Sequence, residues 1–248
     1  MELFFTGIHQ PSNATAVPAA FISINRLRGP KGRKTPFLAP DQGYAIDSGA
    51  FTTVNKYGGY PEDPVAYALE ADFWVRNVPN CRFVVAQDYM CEPFVLKRTG
   101  LSVAEHQRLT IQRYDELRAA WSQLGNDGVP ILPVLQGYTP AEYVAHVRAY
   151  GKRLAPGAWV GVGSVCKRNG TPGAIVAVLS AIKRERPDLR LHGFGVKTTS
   201  LAHEVVRDLL FSADSMAWSF AARWEGRNPN SPAEAAAFDS KIRGLCGL

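Results

Sequence analysis

Asp47, Asp88 and Asp214 close short apolar runs, in AID (45–47), VVAQD (84–88) and FSAD (211–214). A carboxylate ending a buried strand is costly without a partner, so it either caps a turn or meets a ligand. Alone, each is an ordinary turn cap. Gln136-Gly137, Gly161-Val162-Gly163-Ser164 and Gly193-Phe194-Gly195-Val196-Lys197 occupy the same place in further apolar runs. If these runs are parallel strands of one barrel, their C-terminal ends share a mouth, which is where such folds carry out chemistry. Two aspartates facing one substrate suit glycosyl chemistry: one attacks the anomeric carbon, and the other moves protons on the departing and arriving groups. Gly161, Gly163 and Gly195, with the small Ser48-Gly49-Ala50 stretch, let backbone approach a planar ligand. Asp88 and Gln136 offer acceptors and a donor to the edge of a base. Phe51 and Tyr89 offer rings to stack on it.

Other chemistries lack their signatures. There is no HExxH or HxxxH pattern and no P-loop; GFG (193–195) is not GxGxxG, and no GxSxG surrounds Ser164. Cys81, Cys91, Cys166 and Cys246 make no CxxC pair, so no metal site, cofactor or dithiol motif is expected, and a reducing, cytoplasmic setting is the simplest reading. His9 and His192 lie in or beside strands and could enter the site, whereas the other histidines fall in helical patterns. Cys166 reads as a small buried residue beside the site.

The elements that must position these residues are short. Strands are expected at 3–8, 20–25, 44–47, 82–87, 131–136, 158–163, 191–196 and 211–216, mostly continuous in apolar or small residues, as in a parallel sheet covered on both faces. Asp63-Pro64, Thr139-Pro140, Thr171-Pro172 and Ser231-Pro232 each place an N-cap before a first-turn proline. SVAE (102–105), TPAE (139–142) and SPAE (231–234) fit capping boxes. After the third strand, one helix is expected per strand. The fold expected is an α/β, (β/α)8 TIM-like barrel with irregular first two units and no zinc subdomain, spanning 1–248 as a single domain. A doubly wound open sheet is the alternative.

The net charge of +6 and pI of about 9.2 favour polyanionic partners. RLRGPKGRK (26–34) gathers Arg26, Arg28, Lys31, Arg33 and Lys34 into what reads as a mobile basic loop, open to solvent or to phosphate alike. No apolar run approaches the roughly 18 residues of a membrane span, and MELFFTGIHQ lacks signal-peptide character. No membrane partner is expected.

Taken together, these motifs resemble a known family. AIDSGAF (45–51) resembles the DSGGF motif of tRNA-guanine transglycosylases, PVLQG (133–137) their VQGG segment, GVGS (161–164) their glycine-rich base-contacting segment and LHGFGVK (191–197) their MGVG segment. SADSMAW (212–218) lies where that family carries its nucleophile. QDYMCEP (87–93), GSVCKR and DSMAWS are more similar to one branch, the 7-deazaguanine DNA-modification transglycosylases (DpdA-type). The C-terminal region, with one cysteine and no histidine, lacks the zinc site of the tRNA enzymes. Ala50 and Thr52 stand where glycine and glutamine are usual.

The resemblance implies exchange of guanine in DNA for a free 7-deazaguanine base through a covalent aspartyl-glycosyl intermediate. Asp214 would attack C1′ and Asp47 would transfer protons. Asp88, Gln136 and Gly163 would read the base, with Ser48, Phe51, Gly161 and Gly195 around it. The base must leave the stack for this. Arg26, Arg28, Lys31, Arg33, Lys34, Lys167, Arg168, Lys197, Arg223 and Arg227 are the candidates for phosphate contact. Three alternatives stay open: a DNA glycosylase leaving abasic sites, a non-catalytic DNA-binding subunit, and an unrelated barrel acting on a sugar phosphate. The C-terminal tail is short, so a further DNA-recognition element is expected to be small or supplied by another chain. Partner proteins or a homodimer are left open, as is a viral origin, for which the setting would be the host cytoplasm.

Overall fold

The computed structural model describes residues 1–166 and 172–248, apart from the side chain of Pro30. Nine strands form one all-parallel sheet: β1 (Leu3–Gly7), β2 (Ala20–Ser23), β3 (Tyr44–Asp47), β4 (Cys81–Val85), β5 (Ile131–Leu132), β6 (Val134–Leu135), β7 (Trp159–Val162), β8 (Arg190–Gly193) and β9 (Ser212–Ser215). Their order is β5-β4-β3-β2-β1-β9-β8-β7-β6. The two end strands are halves of one segment interrupted at Pro133, which has no N–H to give to a ladder. Pro130 and Leu132 carbonyls accept from Val84 and Ala86 N–H on one side, and Pro133 and Leu135 carbonyls accept from Gly161 and Gly163 N–H on the other. The sheet is therefore a nearly closed barrel with its fifth strand split, in keeping with the TIM-like expectation.

The helices among the described residues are α1 (Ile24–Leu27), α2 (Ala50–Tyr57), α3 (Pro64–Asn77), α4 (Pro93–Thr99), α5 (Val103–Gln123), α6 (Pro140–Tyr150), α7 (Pro172–Glu185), α8 (Thr198–Leu201), α9 (Glu204–Leu209), α10 (Ala217–Trp224) and α11 (Pro232–Cys246). Asp63, Ser102, Thr139 and Ser231 side chains accept from the N3 N–H of α3, α5, α6 and α11, as their sequence motifs predict. Ser102 and Thr139 complete capping boxes. Thr171 lies outside the described residues. The expectation of one helix per later strand fails: β3, β4, β8 and β9 are each followed by two. The second strand also stops at Ser23, because residues 24–27 turn into α1.

Alternation along each strand sorts side chains into two layers. Phe5, Phe21, Ala45, Phe83, Val85, Leu132 and Val134 fill the barrel, with Trp159 and Phe194 against them. Phe4, Ile22, Ile46 and Val84 face the helices. Phe5 is central to the inner layer, with ring centroids 5.4 Å from Phe83 and 6.4 Å from Trp159. Truncating such a buried ring costs about 3–5 kcal/mol. No described helix is long and apolar enough to cross a membrane.

Candidate active site

The barrel geometry brings Asp47, Asp88, Gln136 and Asp214 to one end, each at or just after the C-terminus of its strand. Parallel pairing sets Ser23 opposite Asp47 and Phe5 opposite Asp214. Asp214 is mostly buried, at 7% exposure. Its Oδ1 accepts the Gly195 N–H at 3.0 Å, and His192 Nε2 lies 3.3 Å from the same oxygen. Oδ2 has no hydrogen-bond partner among the described residues.

Asp47 Oδ2 accepts the Gly49 N–H at 3.0 Å. Gly49 has φ +71°, and a Cβ there would press into the Asn25 amide and the Ser23 hydroxyl. Glycine is therefore required for the chain to turn beneath Asp47. Burial, and next the negative charge of Asp214, raise the Asp47 carboxyl to about 6, against the opposing pull of Gly49, Ser23 and Ser48 hydrogen bonds. The two aspartates thus feel one another across the mouth.

Asp88 anchors a second, buried network. Gln136 Nε2 donates to Asp88 Oδ2 by a very short contact, and the Ser48 hydroxyl donates to Oδ1 at 3.4 Å. Burial raises the Asp88 carboxyl to about 7; the Gln136 hydrogen bond opposes this, and Asp47 and Glu92 add to it. Ser164 Oγ accepts from Cys91 N–H at 3.0 Å and lies 2.8 Å from both Gln136 Oε1 and Glu92 Oε2, sharing its proton between them. Gly163 has no Cβ because the Gln136 amide occupies that space. From below, His146 Nδ1 accepts the Gln136 N–H at 2.8 Å, consistent with an imidazole that burial holds down to about 4. Gln107 Nε2 donates to the Gln136 carbonyl at 2.7 Å.

Other expected residues fall differently. Gly161 admits the Phe194 ring of the barrel interior rather than a ligand. Tyr89 is not open for stacking: it is buried with Val54, Met90 and Val95 and meets Tyr60 and His106 edge-on. Phe51 is 45% exposed, with Phe94 edge-on at 6.2 Å. The basic loop is pinned. Arg28 pairs with Glu62 at 3.0 Å and approaches Glu70, Lys34 pairs with Glu70 at 2.8 Å, and Gly29 N–H donates to the Arg33 carbonyl. Arg26, Lys31 and Arg33 are exposed. Arg227 pairs with Glu225 and Glu234. Lys197 is exposed just before α8, and Arg223 is exposed on α10. Lys167 and Arg168 lie outside the described residues.

The sequence reading missed the supporting groups Glu92, Gln107, His146, Trp159 and Ser212. Their partners are 10 to 72 residues away in the chain, and no local pattern marks them. Among the described residues no group of His, Cys, Asp and Glu side chains could hold a metal ion. No curated protein matches the chain. A sequence match over residues 1–240 shows the family: the chain belongs to the DpdA family, described as deoxypurine in DNA protein A.

Proposed function

We propose that the protein exchanges guanine in DNA for a 7-deazaguanine base. Family membership supports DNA as the substrate and a transglycosylase role. The observation that carries the finer reading is the asymmetry of the carboxylate pair. Asp214 is held through Oδ1 with Oδ2 unengaged among the described residues, while Asp47 retains a proton up to about pH 6. A carboxylate held through one oxygen suits the nucleophile, and a carboxyl that burial keeps protonated suits the acid/base.

In this reading Asp214 Oδ2 attacks C1′ of the extruded deoxyguanosine as the bond to N9 breaks, and Asp47 gives its proton to the departing guanine. The incoming base then returns a proton to Asp47 and attacks C1′, which frees Asp214. The bond and proton balance closes without any further reactant. Asp88, Gln136 and Ser48 meet the polar edge of the base, Gly163 keeps Gln136 in place, the Gly195 N–H holds the nucleophile, and Phe51 offers a partly exposed ring at the rim. Arg26, Lys31, Arg33, Lys197 and Arg223 are the exposed cations for phosphates.

The test is incubation with duplex DNA and a labelled 7-deazaguanine. Label should enter DNA with the wild type and stay out with Asp214→Asn. Equal labelling by both proteins would refute the mechanism, and abasic sites formed without added base would identify a glycosylase instead.

A further inference from the structure

Helix α10 begins two residues after the strand that carries Asp214. One face is anchored: Trp218 Nε1 donates to the Gly7 carbonyl at the end of β1 at 2.9 Å, Ser219 Oγ donates to the Pro229 carbonyl at 2.8 Å, and Ala222 is fully buried. The other face is bare. Phe220 is 62% exposed and Trp224, one turn on, is 91% exposed. Arg223 lies with them, its guanidinium 5.9 Å from the Phe220 ring centroid, and the three side chains line one hollow of about 360 Å³. An indole that open, beside a second exposed ring, is unusual on a surface that has no partner for it.

The position of this face says what partner it suits. Burial, followed by the charges of Arg26 and Arg223, lowers the His9 imidazole below its ordinary range. Two guanidinium groups therefore flank the segment that leaves β1. Arg26 follows β2, His9 follows β1 and Arg223 follows β9, and these strands are neighbours in the barrel order. Arg26 and Arg223 thus follow strands on the side of the barrel that runs from the Asp47 strand, β3, to the Asp214 strand, β9. Among the described residues neither Arg26 nor Arg223 makes an ion pair with a carboxylate, unlike Arg28, Lys34 and Arg227. Interleaved exposed rings and unpaired arginines suit a phosphodiester chain with unstacked bases, because every base has a face to stack and every nucleotide a phosphate.

We infer that Phe220 and Trp224 form a stacking platform for the nucleotides flanking the extruded purine, with Arg26 and Arg223 on the adjoining phosphates. This rests on the DNA base-exchange reading. Pulling a purine from the duplex strips its neighbours of one stacking partner, and the platform supplies a replacement at the mouth. It takes no part in bond breaking, and it places no demand on the identity of the flanking bases.

Anisotropy titration with fluorescein-labelled single-stranded and duplex DNA tests it, with exchange measured in parallel. Trp224→Ala and Phe220→Ala should each weaken DNA affinity by about tenfold, since stacking on one aromatic side chain carries about that much. Trp224→Phe should restore most of the loss. DNA should quench wild-type tryptophan fluorescence, and Trp224→Phe should lose that quench. Both positions are exposed, so the variants should fold, and circular dichroism checks this. Wild-type affinity in both alanine variants overturns the platform, as does a wild-type dimer that Trp224→Ala dissociates, which would assign the face to a second copy of the chain. Failure of the base-exchange reading appears separately, as absence of label transfer by the wild type.

Discussion

His192 Nε2 stands 3.3 Å from Asp214 Oδ1, inside the barrel and beneath the mouth. His192 is fully buried between Phe21, stacked at 5.6 Å, and the edges of Phe83 and Phe194. The cross-strand pair His192–Ser212 places Nδ1 2.9 Å from Ser212 Oγ, which also accepts the Trp159 indole N–H at 2.8 Å. Trp can only donate, which leaves the hydroxyl its own proton to give to Nδ1. In that tautomer the ring hydrogen lies on Nε2, facing the carboxylate. The opposite tautomer would set a lone pair against it. The contact is electrostatic rather than in line, since Nε2 has no aligned hydrogen-bond partner.

His192→Phe should therefore keep the barrel, as the site is already lined with rings, and lower kcat about tenfold or more while leaving KM for DNA nearly unchanged. Ser212→Ala should give a smaller loss of the same kind, because it frees the tautomer without removing the imidazole. A rise in KM with full kcat would show that His192 only packs.

The pH dependence follows from two raised carboxyls, Asp47 at about 6 and Asp88 at about 7. The folded state holds protons that the unfolded chain releases near 4, so this contribution to stability is complete below about pH 4 and is lost as pH rises to about 7. Thermal unfolding should show Tm falling over that window. Asp88→Asn should flatten the fall, raise Tm at pH 8 and weaken binding of the free base. A Tm that rises from pH 5 to 7 in the wild type would contradict the burial of these groups.

Gly163→Ala tests the fit between the end of β7 and the Asp88–Gln136–Ser164 network. The new Cβ would stand where the Gln136 amide lies, so Gln136 must swing away from Asp88 and Ser164. We expect kcat/KM for the incoming base to fall about tenfold to a hundredfold, with Tm lowered by only a few degrees. Gln136→Ala should reproduce the kinetic loss. If Gly163→Ala behaves as wild type, the position of Gln136 does not matter for catalysis.

How much of this was legible in the sequence depends on how local the cause is. Strand positions came from short apolar runs, and helix starts from Asp63, Ser102, Thr139 and Ser231, whose caps act within three residues. The break at Pro133 also has a local cause, the missing N–H, though its consequence for the ladder is visible only with both neighbours in place. After β3 and β4 the second helices, α3 and α5, start at the Asp63 and Ser102 caps, whereas the first, α2 and α4, have no side-chain cap to mark them. Asp47 and Asp214 were readable as strand-end carboxylates. His192, Ser212 and Trp159, from three different strands, become one chain of contacts only through register. Tyr89 shows the limit in the other direction: an aromatic beside Asp88 looked suited to stacking, but the satellite cluster around Val54 and Met90 buries it.

The basic loop divides into cations that hold the fold and cations that face outward, and mutation should separate them. Arg28 and Lys34 meet Glu70, whose other contact is the Trp74 indole N–H at 3.2 Å, and Lys34 also lies 4.9 Å from the Phe73 ring centroid. Removing either should lower Tm by a few degrees and leave the salt dependence of DNA binding nearly unchanged. Arg26 is exposed beside the mouth, so Arg26→Ala should keep Tm and reduce the slope of log K against log salt by about 1, the value of one phosphate contact. Glu70→Gln connects the two classes. It should destabilise the protein, release Arg28 and Lys34, and steepen the salt dependence. Equal salt slopes for Arg26→Ala, Arg28→Ala and Lys34→Ala would mean that the ion pairs with Glu62 and Glu70 give way when DNA binds.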